Sequence, residues 1–207
     1  MVKKPANLTL EKSLHTDGDD NHVSVEQTLD RVNISLRTGA KATILLHGAT
    51  VISWTIGTSE LLFLSDKAVV DGSKPVRGGI PLVFPVFGKV TEGPTKGLPQ
   101  HGFARTSRWE LLGRTEESDE SVAVDFGLGN DGLTEEEKKE WPYEFGLIYS
   151  VVLTKDSLET KMLVQNGGEK PFDFNMLFHS YFRIPVCIQS LSCFNALNLK
   201  REELTKP

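Results

Sequence analysis

The stretch Val32–Arg37 reads VNISLR, and its pattern indicates the class of fold. Apolar side chains at positions 32, 34 and 36 alternate with polar side chains at positions 33, 35 and 37. A period of two is typical of a β-strand that buries one face and exposes the other. Thr38-Gly39 then ends the alternation. The sequence therefore predicts a half-buried strand followed by a break.

Apolar or β-branched runs of strand length recur along most of the chain. They occupy residues 42–46, 49–56, 61–64, 108–112, 121–128, 145–153, 157–165 and 172–182. Asn166-Gly167 marks a turn between the last two, because both residues adopt positive φ at low cost. One short helix is predicted, with Thr134 as its cap, Glu137 completing a capping box and Pro142 ending it. Many short strands with almost no helix predict an all-β sandwich or barrel.

The composition is that of an ordinary globular domain. The chain has 207 residues, 39% of them hydrophobic and 25% charged, which suits one domain with its own core. A net charge of −5 disfavours nucleic acid or an anionic membrane as the main partner. No apolar run reaches the roughly 18 residues of a membrane span, and the polar N-terminus lacks a secretory-signal pattern. We therefore expect a cytoplasmic protein, in which Cys187 and Cys193 are reduced thiols rather than a disulfide framework or a zinc site.

Residues 77–88, RGGIPLVFPVFG, combine apolar side chains with two prolines. Proline lacks a backbone N–H, so the segment is not expected to form a helix or a central strand. It is predicted to be a rigid apolar loop with Arg77 at its mouth. Gly78 and Gly79 allow the backbone to approach a group that the arginine holds. A core-filling loop with a surface arginine is the alternative that these residues alone leave open.

A second, more polar loop is predicted at residues 97–105, GLPQHGFAR. It places an amide, an imidazole and a guanidinium close together at Gln100, His101 and Arg105. A guanidinium binds phosphate or carboxylate through two parallel hydrogen bonds. The loop therefore suits a polyhydroxylated anionic ligand, although a plain polar surface loop has the same composition.

Residues 172–183, FDFNMLFHSYFR, are predicted to be a strand with two unlike faces. Its even-numbered side is mainly phenylalanine and methionine and is expected to face the core. Its odd-numbered side faces either solvent or a binding cleft and carries Asp173, Asn175, His179, Tyr181 and Arg183, with Leu177 among them. His179 is a candidate acid or base there, because the ordinary pKa of histidine is about 6.5.

Together these segments resemble the glucose-6-phosphate 1-epimerase family, a branch of the galactose mutarotase-like proteins. The resemblance runs from about Val25 to Pro185. It rests on the order and spacing of several short motifs. These are Gly48-Ala49, Ser53-Trp54, Arg77–Pro81, Phe84-Pro85, Phe87-Gly88, Gln100–Arg105 with Trp109, Trp141-Pro142, Phe145 and Phe178–Phe182.

The resemblance implies an antiparallel β-sandwich with a sugar site on the concave face of one sheet. It also implies interconversion of the α and β anomers of hexose 6-phosphates by acid–base ring opening and closure, with no metal or organic cofactor. His179 matches the family's histidine acid. Arg77 and Arg105 match the residues that hold the phosphate. Gln100 matches a substrate contact, and His101 beside it is expected to contact a sugar hydroxyl. We expect a monomer whose partner is the small sugar phosphate.

The chain departs from the family pattern after about Pro185. In the family a glutamate base and a substrate-contacting aspartate follow the histidine, and residues 186–207 carry no such motif. We therefore expect a tail at residues 1–24, an incomplete sandwich at 25–185 and a divergent tail at 186–207. Open strand edges and little or no mutarotase activity are the expected consequences. The alternatives are a sugar-phosphate-binding fragment without turnover and a fragment that binds no ligand.

Overall fold

The computed structural model describes residues 23–93 and 95–184, apart from the side chains of residues 116 and 117. Antiparallel strands make up most of its regular structure, so the predicted all-β class is confirmed. The predicted tails at residues 1–24 and 186–207 lie outside the described residues, except for Val23 and Ser24. Ser24 opens the first strand rather than ending a tail.

The first sheet has five antiparallel strands in sequential order. They are β1 (Ser24–Gln27), β2 (Arg31–Ser35), β3 (Lys41–Leu45), β4 (Val51–Ile56) and β5 (Ser59–Glu60). The next strand in the chain, β6 (Leu82–Val83), has two residues and is not part of this sheet. The alternation read from the sequence is present in β2, where Val32 and Ile34 are buried between half-buried neighbours. The strand predicted at residues 61–64 is wrong. That segment forms only isolated bridges, to Phe182 and Gly78, because it meets two different neighbours.

The second sheet has four antiparallel strands joined by successive hairpins. They are β7 (Glu110–Ser118), β8 (Ser121–Gly129), β9 (Phe145–Thr154) and β10 (Leu158–Asn166). The predicted strands at 121–128, 145–153 and 157–165 are therefore confirmed almost to the residue. The strand predicted at 108–112 begins later, at Glu110, and runs on to Ser118.

The two sheets share one hydrophobic core. Buried side chains of β2, β3 and β4 belong to the same cluster as those of β8 and β9. Fully burying one such large apolar side chain contributes roughly 1.5–3 kcal/mol. Two antiparallel sheets that bury their inner faces against each other form a β-sandwich, as predicted. The buried core residues from the strands of the two sheets are Val32, Ile34, Ala42, Ile44, Val51, Val122, Val124, Phe126, Leu128, Phe145, Leu147, Tyr149, Val151 and Leu153.

The predicted helix is present as α1 (Glu135–Glu140), after a 3-10 turn at Asn130–Gly132. Its capping box is confirmed. The Thr134 hydroxyl accepts from the Glu137 N–H at 3.2 Å, and the Glu137 carboxylate accepts from the Thr134 N–H at 2.9 Å. The helix ends at Trp141, whose side chain enters the core. In the described part of the chain, no helix is long and apolar enough to cross a membrane.

The strand predicted over residues 172–182 is wrong in its length. Regular strand is confined to β11 (Leu177–Phe178), which pairs with β6. On either side, the His179 N–H donates to the Pro81 carbonyl at 2.9 Å and the Asn175 N–H donates to the Pro85 carbonyl at 2.7 Å. Neither proline has an N–H to return a hydrogen bond, so the ladder stays one-sided and does not extend into a regular strand.

The irregular backbone also changes which apolar side chains of this segment are covered. Phe172, Met176 and Phe178 pack against the core, as predicted for the even-numbered side. Phe174 and Phe182 remain 42% and 39% exposed. The predicted apolar face is therefore only partly buried.

Candidate functional site

The proline-rich segment at residues 77–88 is anchored in the core by one aromatic side chain. Phe84 is fully buried and is followed by a cis peptide bond to Pro85. Outside β6, the segment is irregular and largely buried, which confirms the predicted apolar loop. Four aromatic rings surround Phe84 with centroids 5.4–5.9 Å away, namely Phe103, Trp141, Phe145 and Phe174.

The loop that carries His101 docks on this anchored segment. The Phe103 and Ala104 N–H groups both donate to the Phe84 carbonyl, at 3.1 and 3.3 Å. Gly102 has a φ of +72°, and a Cβ there would collide with the same carbonyl oxygen. Only glycine therefore permits this approach. The Trp109 indole N–H donates to the Ala104 carbonyl at 2.8 Å and holds the far side of the loop.

His101 is fixed at both its backbone and its ring. Its N–H donates to the Gly88 carbonyl at 2.9 Å, and its Nδ1 accepts from the Gly88 N–H at 3.0 Å. Its φ is +69°, a left-handed conformation that is uncommon for a residue other than glycine. The hydrogen bond to Nδ1 and the hydrogen bond of the constrained backbone together fix the orientation of the ring.

His179 faces His101 from the other segment. The two imidazole centroids are 5.8 Å apart, with the rings inclined by 71°. On its other side, the His179 ring stacks on Tyr181 at 4.9 Å and 19°. The Tyr181 N–H donates to the Gly79 carbonyl at 2.9 Å, which ties this pair to the same proline-rich segment.

Arg105 completes the group of charged and polar side chains. One of its terminal nitrogens, Nη2, donates to the Gln100 carbonyl at 2.5 Å. Its Nε is buried and has no hydrogen-bond partner among the described residues. Burial lowers the pKa of the guanidinium, while the nearby Tyr181 hydroxyl acts in the opposite direction. A buried donor without an acceptor is costly, so this nitrogen is suited to an acceptor supplied by a ligand.

The electrostatic surroundings of His101 disfavour a positive charge on its ring. Its pKa is lowered, first by burial and then by the positive charges of Arg105 and His179. These two groups and His101 therefore lie close enough to interact as charges. We use the name "basic cluster" for Arg105, His101, His179 and the stacked Tyr181.

A sequence model of the aldose 1-epimerase family matches residues 30–193, a range that contains the whole basic cluster. The chain belongs to the aldose 1-epimerase family. The match extends beyond Pro185, where the resemblance was predicted to end.

Two proteins and one solved structure are similar to this aldose 1-epimerase family chain. A protein of Escherichia coli (strain K12) named "Putative glucose-6-phosphate 1-epimerase" is 34% identical over 145 residues, 70% of this chain and 45% of that protein. One from Cenchrus ciliaris with the same name is 33% identical over 194 residues, 87% of this chain and 56% of that one. The crystal structure of "a putative mutarotase" from Salmonella typhimurium is 31% identical, with a TM-score of 0.63, covering 78% of this chain and 52% of that one. The chain spans about half the length of these relatives.

Of the five site residues predicted for this family member, three are brought together: His101, Arg105 and His179. Gln100 adjoins them through its backbone carbonyl, while its side chain is exposed. Arg77 is exposed, and its side chain makes no hydrogen bond or ion pair among residues 23–93 and 95–184. Its backbone lies two positions from Gly79, the residue that binds the Tyr181 N–H.

Two further residues position the cluster and were not assigned a role from the sequence. Tyr181 stacks on His179, and the Asn175 side chain accepts from the Phe87 N–H at 3.2 Å beside the His101 loop. Both lie on the odd-numbered, polar side of the 172–183 segment together with His179. The alternation of polar and apolar residues along this segment was the available signal. It shows which side chains share a face but not which of them are in contact.

The described part of this family member places no carboxylate in the basic cluster. No aspartate or glutamate there forms a hydrogen bond or an ion pair with His101, Arg105 or His179. The described part of the chain also contains no group of three or more histidine, cysteine, aspartate or glutamate side chains that could hold a metal ion. The described cluster thus offers cationic and neutral donors without an anionic base.

Proposed function

We propose that the basic cluster is a hexose-6-phosphate site and that it serves the interconversion of the α and β anomers of that sugar. The observation that carries the proposal is the buried, unpartnered Nε of Arg105 beside two imidazoles. A guanidinium with donors to spare suits a phosphate, and imidazoles suit sugar oxygens. The names of the Escherichia coli and Cenchrus ciliaris relatives, which refer to glucose 6-phosphate, support this choice of substrate.

His179 is the proposed acid of the reaction. It gives its proton to the ring oxygen as the bond between that oxygen and C1 breaks. A base takes the proton of the C1 hydroxyl, whose electrons form the C1 carbonyl of the open aldehyde. Rotation about the C1–C2 bond and the reverse transfers then close the ring with the opposite configuration at C1. A well-placed acid or base contributes roughly 10²- to 10⁴-fold to the rate of such a step.

The second candidate function is sugar-phosphate binding without turnover. The observation that favours it is that no carboxylate among the described residues forms a hydrogen bond or an ion pair with His101, Arg105 or His179. Without a base, the C1 hydroxyl keeps its proton and the ring does not open efficiently. Under this second function, glucose 6-phosphate binds to the basic cluster and its anomers exchange only slowly.

Ligand-dependent thermal unfolding tests the binding part of the proposal. Glucose 6-phosphate should raise the melting temperature of the chain, since a ligand that binds only the native state stabilises it by about 2.7 kcal/mol at 100 times its Kd. Glucose lacks the phosphate and inorganic phosphate lacks the sugar, so each should stabilise the chain less at the same concentration. Equal stabilisation by all three compounds, or by none, would contradict the proposed site.

Two-dimensional exchange NMR on glucose 6-phosphate separates the two candidate functions. An anomer exchange rate above the uncatalysed rate, lost in His179→Asn, would establish mutarotase activity with His179 as the acid. Saturable binding with no acceleration would establish the binding function instead. An acceleration that persists in His179→Asn would refute the role given to His179.

A further inference from the structure

Strand β10 forms one edge of the second sheet. In the described part of the chain it pairs only with β9, through nine consecutive residue pairs without a bulge. None of its residues is buried, whereas every second residue of β9 from Leu147 to Leu153 is. A long, regular edge strand presents a row of unpaired backbone groups to which a strand of another chain can bind.

The hydrogen bonds at the two ends of the β9–β10 ladder show which backbone groups of β10 point away from the sheet. The Thr154 N–H donates to the Ser157 carbonyl at 2.9 Å, and the Gly167 N–H donates to the Glu144 carbonyl at 2.9 Å. Hydrogen-bonded positions alternate along an antiparallel strand, so the odd-numbered residues of β10 direct their backbone groups to β9. The even-numbered residues within 158–164 therefore direct their N–H and carbonyl groups outward.

The other edges of the two sheets are less suited to pairing. The register of β7 with β8 shifts at two points, and such bulges disrupt an edge. Strand β5 has two residues and β1 has four. Among the described strands, β10 thus offers the longest unbroken edge.

The side chains of β10 complement those of a second β10 that runs antiparallel to it. When Thr160 lies opposite its own copy, Glu159 of each chain lies opposite Lys161 of the other. Both charged side chains are exposed, and neither forms an ion pair among the described residues. They occupy non-hydrogen-bonded positions of the new ladder, where facing side chains are closest. In the same register Leu158 lies opposite Met162, and both already pack against the core.

Other registers of the two strands lose this match. A shift of the centre by one residue sets Glu159 opposite Glu159, or Lys161 opposite Lys161, and like charges at facing positions are destabilising. A shift by two residues, to a centre at Met162, places Lys161 opposite Leu163 and leaves both charges without a partner. The charges of β10 therefore favour the register centred on Thr160.

We propose that β10 pairs with β10 of a second copy of this chain, antiparallel and with Thr160 on the two-fold axis. The two four-stranded sheets then join into one sheet of eight strands. Only a few residues of each chain take part, so the dimer is weak and reversible. It departs from the monomer expected from the sequence, and it does not rest on the proposed sugar-phosphate function.

Charge reversal in the 207-residue chain tests the partner and the register together. Glu159→Lys sets lysine against lysine across the pair, and Lys161→Glu sets glutamate against glutamate. Sedimentation from about 1 μM to 1 mM should show that each variant dimerises at least about tenfold more weakly than the wild type. An equimolar mixture of the two variants should associate as the wild type does, because every facing pair is again of opposite charge. Glu26→Lys, the same change on the exposed side of the edge strand β1, is the control and should dimerise normally.

Hydrogen exchange tests whether the backbone edge itself is used. The amides of Leu158, Thr160 and Met162 should exchange rapidly in dilute protein and slowly in concentrated protein. The amide of Val164 should exchange rapidly in both, because the register places it opposite the turn that precedes β10 in the second copy.

Four outcomes would overturn the proposal. The first is a wild-type chain that stays monomeric at about 1 mM. The second is slow exchange of the three amides at every concentration, which would show that another part of the same chain covers the edge. The third is a dimer that both single variants form as well as the wild type. The fourth is an equal loss of association in Glu26→Lys, which would attribute the effect to net charge rather than to facing pairs.

Discussion

At the scale of single residues, the basic cluster places one guanidinium beside two imidazoles, with no carboxylate hydrogen-bonded to them among the described residues. Arg105 is half-buried, and its Nε has no hydrogen-bond partner in that part of the chain. An uncompensated cation in a partly buried site is stabilised by an anionic ligand. These features support the small anionic ligand proposed above.

Arg105→Gln should weaken glucose 6-phosphate binding by about ten- to a hundredfold, since a hydrogen bond to a charged group is worth roughly 1.5–3 kcal/mol. Titration calorimetry measures this change. Arg37→Gln is the matched control, because Arg37 forms an exposed ion pair with Asp119 at 3.7 Å, apart from the cluster. An equal loss of affinity in both variants would indicate long-range charge rather than a local contact.

The histidines also predict how stability depends on pH. Burial is the largest cause that lowers the pKa of both His101 and His47. The unfolded chain therefore binds more protons than the native protein as pH falls through about 6.5, so the free energy of unfolding should fall below that pH. Urea denaturation at pH 8 and at pH 5 measures the change. It should be smaller in His101→Asn, and a free energy of unfolding that is the same at both pH values would contradict the expectation.

The carboxylate of Asp30 titrates in a different window. Its hydrogen bonds to Arg31 and Thr28 lower its pKa to about 2. Its contribution is therefore present above the ordinary pKa of 3.8 and is lost as pH falls towards 2. Measurements between pH 8 and pH 5 thus report on the histidines and not on Asp30.

Sequence reasoning predicted the types of residue at the site better than their contacts. The loop at 97–105 was predicted from its imidazole and guanidinium, and His179 from its place on a polar face. The stacking of Tyr181 on His179 was not predicted, because alternation shows which side chains share a face and not which rings touch. The hydrogen bond between Gly88 and His101 joins two distant segments and leaves no local pattern.

At the scale of elements, the site depends on two irregular loops rather than on regular strands. Prolines 81 and 85 prevented a full ladder, so the segment with His179 is held by one-sided hydrogen bonds. The strands of the second sheet were predictable, because their apolar patterns are long and their neighbours follow directly in the chain. The prediction of a continuous strand at 172–182 was wrong because the partner segment, which contains two prolines, limits the length of the strand.

Gly102→Ala should disrupt the His101 loop. A Cβ at Gly102 would collide with the Phe84 carbonyl oxygen, in addition to the strain of its φ of +72°. Gly39→Ala is the matched control, since Gly39 also has a positive φ, +85°, but nothing lies within 4 Å of an added Cβ. We expect the control to lose about 1 kcal/mol in free energy of unfolding, and Gly102→Ala to lose more and to bind glucose 6-phosphate poorly. Equal losses would show that the close contact is relieved without consequence.

Thr134→Ala should destabilise the protein by about 1 kcal/mol, because it removes the hydroxyl that caps α1. Chemical denaturation gives this value. Thr58→Ala, at an exposed turn position between β4 and β5, should change stability by less than about 0.5 kcal/mol. The capping hydrogen bonds of Thr134 stay within α1 and do not reach the basic cluster, so ligand affinity should be unchanged. A weaker affinity in Thr134→Ala would mean that the helix supports the site.

At the scale of the whole molecule, two antiparallel sheets enclose one core, and the segments between them carry the site. The all-β class and the sandwich were predictable from alternation and turns. The order of strands within each sheet was not, because alternation specifies faces and not neighbours. Backbone hydrogen bonds in the site join three segments that only the complete fold brings together, namely residues 79–88, 101–105 and 179–181.

The most direct test of the central claim is to map glucose 6-phosphate binding on the labelled chain by NMR. We predict saturable shift changes that are largest for the amides of His101, Arg105, His179 and Tyr181. The shallow cleft on the second sheet, lined by residues that include Asp125, Ser150 and Lys161, should be unaffected. Largest changes in that cleft, or no saturable change at the basic cluster, would contradict the account.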